Sequence, residues 1–239
     1  MSPSPPAEPA ARYAFYFAPE PGHPLWEAGC TWLLRDPSRP ERRFAEDGVP
    51  QRDWIEAPRR YGFHATLKAP MRLRDPAARG ALVQAAARLA RAHMPFRVPA
   101  LGIALHRGFL ALQPLAPLSR HHPLHRLADG VVTGLDAFRA PPSPEERARQ
   151  QGKGLAPRQQ ALFERWGYPW VLDAWRFHIT LSDELPPQQL GVHARLRQLA
   201  RAHFAAALAE PLVCRSLCLF EQAAPGEPFV LSERLPFGG

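Results

Sequence analysis

The pentapeptide Phe63-His64-Ala65-Thr66-Leu67 returns in the second half of the chain as Phe177-His178-Ile179-Thr180-Leu181. The chain holds only four threonines and 10 histidines, so two His-x-Thr triplets with the same Phe before and Leu after are not a product of composition. Aromatic and β-branched residues fit a pleated, half-buried surface, and each copy reads as a strand. Alternate side chains of a strand share a face. Phe63, Ala65 and Leu67 then enter a core, as do Phe177, Ile179 and Leu181. His64, Thr66 and Lys68 point the other way, together with Arg176, His178, Thr180 and Ser182 of the second copy.

The surroundings repeat as well. After residue 61 the pattern predicts strand, helix, strand, strand, and after residue 175 the same order returns. The spacing agrees: His64 to Arg97 is 33 residues and His178 to Val213 is 35. This predicts two related lobes, each with a sheet and a helix. A length of 239 residues suits one large domain or two small lobes. The expected organisation is a disordered leader over 1–11, with no signal-peptide character, and one bilobed α+β domain over 12–239. Strands are expected at 12–18, 61–69, 96–105, 108–114, 170–182, 211–221 and 228–235. Helices are expected at about 75–93, 119–138, 144–152, 157–166 and 187–208, with a loop and a short helix between 19 and 58.

If the lobes pack about a pseudo-two-fold axis, the two polar ladders face each other across a cleft. Two imidazoles on opposite sides of a tetrahedral phosphorus divide acid and base roles, since an ordinary His pKa near 6.5 permits either state near neutrality. Thr66 and Thr180 would donate to the non-bridging oxygens, and Lys68 and Arg176 would oppose the negative charge. This chemistry calls for no metal and no cofactor. An ordinary half-buried strand explains one isolated His-x-Thr, but not two in phase.

Charge narrows the partners only slightly. The net charge is +8, but all basic residues except Lys68 and Lys153 are Arg, spread along the chain without a block. RNA and a small anionic substrate are both compatible. No run of 18 apolar residues occurs, so no membrane partner is expected. Three cysteines, Cys30, Cys214 and Cys218, make no disulfide framework, which fits a cytoplasmic protein. No Gly-rich phosphate loop and no Gly-x-Ser-x-Gly elbow is present. His121, His122 and His125 look like a metal cluster, but Pro123 breaks their helical spacing.

The paired Phe-His-x-Thr-Leu strands resemble the two-histidine (2H) phosphoesterase superfamily, which includes RNA 2′,3′-cyclic phosphodiesterases and the 2′–5′ RNA ligases of bacteria. The stretches Arg12–Pro19, Tyr61–Pro70, Arg165–Leu181 and Leu219–Phe229 look like the branch of phosphonate metabolism proteins, so the resemblance runs over most of the chain from residue 12. It implies a bilobed fold with both motifs in a central cleft, and hydrolysis or transfer at a phosphodiester, often a cyclic one. It implies His64 and His178 as the catalytic pair and Thr66 and Thr180 as phosphate ligands. Lys68 matches this branch rather than the superfamily at large, and the role of Ser182 stays open. The phosphonate context makes a ribosyl cyclic phosphate an attractive substrate. The alternatives are an RNA-end phosphodiesterase or ligase, and a nucleotide- or RNA-binding module without turnover.

Tyr61, Tyr13, Tyr16, Tyr168 and Trp170 flank the motifs and are candidates to stack on a sugar or base, with cleft-wall packing as the plainer account. Arg12, Arg139 and Arg158 are candidates to reach a second phosphate, with a solvated surface as the plainer account.

Overall fold

In a computed structural model of the protein, the structure describes residues 11–152, 154–186 and 188–239. The leader expected over 1–11 lies, apart from Ala11, outside the described residues. The elements in chain order are β1 (Arg12–Phe17), α1 (Pro24–Trp32), α2 (Glu56–Tyr61), β2 (Ala65–Met71), α3 (Arg79–Arg91), β3 (Phe96–Arg97), β4 (Leu101–His106), β5 (Phe109–Pro114), α4 (Pro123–Gly134), α5 (Pro144–Gln151), α6 (Pro157–Trp166), β6 (Ile179–Thr180), α7 (Leu190–Ala209), β7 (Val213–Cys214), β8 (Ser216–Gln222) and β9 (Val230–Pro236). This is the α+β class expected, with antiparallel strands and helices packed outside them.

Seven strands form one sheet in the order β4-β5-β6-β2-β1-β8-β9, and β3 pairs with β7. The two motif strands, β2 and β6, are thus neighbours in one continuous sheet, and not in a separate sheet for each lobe as the repeat predicts. Their junction is the pair Ala65↔Ile179, the central residues of the two repeated pentapeptides. The other cross-pair is Arg97↔Val213, the same two positions that the repeat spacing equates. Residues equivalent by sequence are therefore hydrogen-bonded neighbours, which is what a two-fold axis through an antiparallel junction requires. The hairpins are exchanged between the repeats. β4–β5 follows the first motif but joins β6 of the second. β8–β9 follows the second motif but joins β1, the partner of β2.

The six core residues of the motifs behave as the alternation demands. Phe63, Ala65, Leu67, Phe177, Ile179 and Leu181 are all buried in one cluster with Trp32, Leu82, Leu124 and Phe204 from the surrounding helices. Each larger side chain there contributes roughly 1.5–3 kcal/mol by burial. Packing is close enough that α1 lays its backbone on a ring: a Cβ at Gly29 would stand 2.2 Å from Phe63 Cγ. The opposite face of the sheet carries Ala14, Tyr16, Cys218, Phe220 and Phe229, closed by Trp26 and Cys30 of α1.

Four local expectations change. Two of them are breaks: the strands expected at 96–105 and 211–221 each divide, into β3 and β4 and into β7 and β8, with β3 and β7 leaving the large sheet to pair with each other. Residues 61–64 are not strand: α2 runs to Tyr61, and Gly62 turns the chain with φ +83° before β2 begins. Residues 170–182 give only a two-residue strand, because a 3-10 turn at Leu172–Ala174 takes up the preceding segment. By contrast, β4 and β5 form the expected hairpin, turning through Arg107 and Gly108, both at positive φ as such a tight turn needs. The free cysteines Cys30, Cys214 and Cys218 are all buried. Among the described residues, no helix is long and apolar enough to cross a membrane.

Candidate active site

The junction sets the site. Continuing the antiparallel register one residue to each side of Ala65↔Ile179 sets His64 opposite Thr180 and Thr66 opposite His178. The histidines are then diagonal neighbours on one face, a relation that places side chains about 7–8 Å apart. All four line a single cavity of about 350 Å³ with Tyr16, Tyr61, Phe109, Tyr168 and Ser182.

Both imidazoles are anchored alike. His64 Nδ1 lies 2.8 Å from the Gly62 carbonyl oxygen, and His178 Nδ1 lies 2.8 Å from that of Arg176. A carbonyl only accepts, so each Nδ1 carries the proton and each Nε2 is left as the working atom. Thr66 Oγ1 donates to His64 Nε2 at 3.2 Å. Main-chain positions are fixed too: Trp175 Nε1 donates to the Thr66 carbonyl at 2.8 Å, and Trp32 Nε1 to that of Leu181 at 2.7 Å.

Each ring has a flat partner. Tyr16 stacks on His64, with centroids 3.6 Å apart, and His106 on His178 at 4.5 Å. Gln113 Nε2 donates to His106 Nδ1 at 2.7 Å, which holds that third imidazole in place. Burial pushes the His64 pKa down to about 4, against the pull of the Gly62 carbonyl, and the nearby His178 lowers it further. Burial also lowers His178, with Arg107 adding to the effect, and takes His106 down to about 4. The resting site is thus a neutral imidazole pair in which the His64 Nε2 accepts from Thr66 and the His178 Nε2 has no hydrogen-bond partner among the described residues.

Asp183, just after the second motif, ties the halves together. Its carboxylate accepts from the Glu56 and Ala57 amides at 2.7 and 2.9 Å, capping the helix that leads into the first motif.

Not every expected residue reaches the pocket. Lys68 does not: it is 3% exposed, and its Nζ donates to the Val132 carbonyl at 3.1 Å and to Asp136 at 3.4 Å. The cause is a bulge. Tyr16 pairs with Thr66, but Phe15 pairs with Lys68, so Leu67 is an extra residue. One inserted residue moves everything after it to the other face, and Lys68 is delivered to the core side with Phe15. Tyr13 also faces away, as alternation with Tyr16 dictates, into the main core beside Arg79 and Glu221. Ser182 lines the cavity, but its hydroxyl is committed: it accepts from the Leu110 amide and donates to the Asp183 carbonyl. Arg176 is turned to its own main chain, donating to the Asp173 and Trp175 carbonyls, and lines an adjoining cavity of about 300 Å³ with His106, Arg107, Trp170 and His178. Tyr61 and Tyr168 are in the wall, Tyr61 stacked on Phe229. Tyr16 in its stacking role, His106 and Arg107 are what the motif did not reveal. His106 and Arg107 were visible only as the end of a strand and a turn.

Elsewhere, His122 caps α4 through its Nδ1, and His125 packs edge-on against Trp175. Among the described residues no group of three or more His, Cys, Asp or Glu is arranged to hold a metal ion.

Two curated relatives bear the name ribose 1,5-bisphosphate phosphokinase PhnN. The one from Janthinobacterium sp. (strain Marseille) is 38% identical over 98% of this chain and 52% of that protein. The one from Laribacter hongkongensis (strain HLHK9) is 35% identical over 92% of this chain and 50% of that protein. The chain spans about half the length of the curated relatives it matches. Among solved structures, E. coli LigT complexed with NADP+ is similar over 98% of this chain and 100% of that one, at 14% identity and a TM-score of 0.43. Kluyveromyces marxianus Usb1 is similar over 95% and 100%, at 12% identity and a TM-score of 0.35. Residues 66–230, more than half of the sequence, match one family, and the chain belongs to it: the family described as protein of unknown function (DUF1045).

Proposed function

We propose that the protein hydrolyses a cyclic phosphodiester by paired-histidine acid–base catalysis, with a ribosyl cyclic phosphate as the first candidate substrate. The observation that carries this reading is the matched anchoring of His64 and His178, each with Nδ1–H on a carbonyl two residues back and Nε2 turned to a shared cavity. Water attacks phosphorus while one Nε2 takes its proton. The P–O bond to the ring alkoxide breaks, the electron pair leaves on that oxygen, and the other imidazolium Nε2–H protonates it. The product is a ring-opened phosphomonoester. The strong depression of His64 suits it to start neutral, as the base. Thr180 is suited to donate to a non-bridging oxygen, and Thr66 to do the same once its hydroxyl leaves His64 Nε2 as that nitrogen takes up the proton of water. Each proton-transfer role is worth roughly 10²–10⁴-fold.

The sugar is suggested by the relatives' name, which concerns a ribose bearing phosphates. The phosphokinase activity in that name is not carried over, because this chain has no Gly-rich phosphate loop. The net charge of +8 keeps an RNA 2′,3′-cyclic end as the alternative. Phosphorus NMR after incubation with ribosyl 1,2-cyclic phosphate and with nucleoside 2′,3′-cyclic phosphates separates the two. Turnover is expected to survive EDTA. No turnover of any cyclic ester refutes the reading, and loss in EDTA restored by zinc or magnesium moves it to metal-assisted hydrolysis.

A further inference from the structure

A second cavity of about 370 Å³ adjoins the histidine cavity, and Tyr61, Ala69, Pro70 and Tyr168 belong to the walls of both. Its character is different. The histidine cavity has no Lys or Arg in its lining, whereas this one has Arg12, Arg72, Arg139 and Arg149. Glu146 is the single carboxylate in the lining, and it is engaged by Arg72 at 3.1 Å. Behind the wall, Asp136 is shared among Lys68, Arg139 and Arg165, so one negative charge meets three cations. Glu145, at the start of α5, accepts from Ser143 Oγ. Arg12 is oriented by a neutral group: its Nε donates at 2.6 Å to the Gln222 amide oxygen, and Gln222 is itself fully buried. Arg12 and Arg149 form no ion pair with a carboxylate among the described residues, although Arg149 is near enough to the exposed Glu145, one turn back on α5, to lower its pKa. A recess with this surplus of guanidinium donors suits a phosphate dianion.

We propose that this cavity binds a phosphomonoester carried by the substrate itself, on the part of the molecule remote from the diester. The site rests on the phosphodiesterase reading, and makes the preferred substrate a sugar cyclic phosphate with a second, terminal phosphate. Binding energy gathered there positions the diester between the imidazoles.

The test compares a ribosyl 1,2-cyclic phosphate with and without a 5-phosphate, on the full chain and on the double variant Arg12→Gln, Arg149→Gln. The full chain should favour the phosphorylated ester by about 100-fold or more in kcat/KM. The double variant should lose at least about 30-fold on that ester and under about threefold on the other. Equal losses on both esters, or no preference in the full chain, would overturn the proposal. So would a preference for an oligonucleotide with a cyclic end, which would assign the recess to an RNA strand. Calorimetry with ribose 5-phosphate keeps the two readings separable. If no ester turns over, the phosphodiesterase reading fails. The anion site then stands if ribose 5-phosphate binds the full chain and binds the double variant at least about tenfold more weakly. It falls if the affinities are equal.

Discussion

The phenol ring of Tyr16 lies against the imidazole of His64, with centroids 3.6 Å apart and planes inclined by 21°. Tyr16 comes from β1 and faces Thr66 across the ladder, so the stack is built by cross-strand pairing. One face of His64 is thereby sealed from water, and the ring is held upright for its bond to Gly62. Tyr16→Phe keeps the ring and should leave kcat/KM within about threefold. Tyr16→Ala empties a buried site and should cost about 3–5 kcal/mol of stability. It should also let water reach His64 and raise its pKa, read by NMR titration of the imidazole. An unshifted His64 in the Ala variant would show that stacking does not set its protonation.

Removal of either imidazole separates an enzyme from a binding module. His64→Ala and His178→Ala should each lower kcat by about 10²–10⁴-fold, and substrate-analogue affinity should stay within about tenfold. The double variant should be little worse than either single one, because the two groups act as a unit. Single variants with the rate of the parent would leave only a binding role.

The pH dependence follows from burial. His64 and His106 are pushed to about 4, from an ordinary 6.5 in the unfolded chain. Between those values the unfolded chain takes up protons that the folded one refuses. The stability from these groups is therefore complete above pH 6.5 and is lost as pH falls toward 4. Urea midpoints measured at pH 7 and pH 5 should show the decline, and a midpoint that rises at pH 5 would contradict it. For turnover, one imidazole must be charged and the other neutral. His178 is lowered as well, so the bell for kcat/KM should peak below pH 6.5. A bound phosphate anion favours the imidazolium, so the kcat profile should peak at higher pH. A flat profile from pH 5 to 8 would refute divided roles.

Lys68 gives the sharpest contrast between the alternation rule and the observed register. It lies under α4 with Asp136 and not in the histidine cavity. Lys68→Met should leave kcat/KM within about threefold, since no phosphate contact is lost. Asp136 keeps Arg139 and Arg165, so stability should change by about 1 kcal/mol or less. A loss of about 100-fold in kcat/KM with unchanged stability would mean that Lys68 reaches the substrate.

How much of this was legible follows from which rules are local. The repeat of Phe-His-x-Thr-Leu gave the two-fold relation, and the pairs Ala65↔Ile179 and Arg97↔Val213 realise it residue by residue. Alternation placed the six apolar motif residues, both histidines and both threonines on the faces they occupy. It failed at Lys68, because the bulge at Leu67 is set by how β1 pairs and not by β2 alone. Tyr13 failed for a related reason: which of two tyrosines on β1 meets the cleft depends on the register with β2. His106 was invisible because its partner His178 belongs to the other repeat, and only the exchanged hairpin brings them together.

Gly62 joins backbone strain to the anchoring of His64. It ends α2 with φ +83° and ψ 174°, a region open almost only to glycine. A Cβ there would also meet Pro37 Cγ at 2.9 Å. Gly62→Ala should therefore cost about 1–3 kcal/mol. The carbonyl of the same residue holds His64 Nδ1, so a shift of this turn should disturb the ring more than it disturbs the fold. The expected signature is a loss in kcat at least tenfold larger than that of a control substitution with equal destabilisation at a buried position outside the cavity lining, such as Leu196→Val. Equal losses in the two variants would show that Gly62 serves folding alone and that His64 finds its place without that carbonyl.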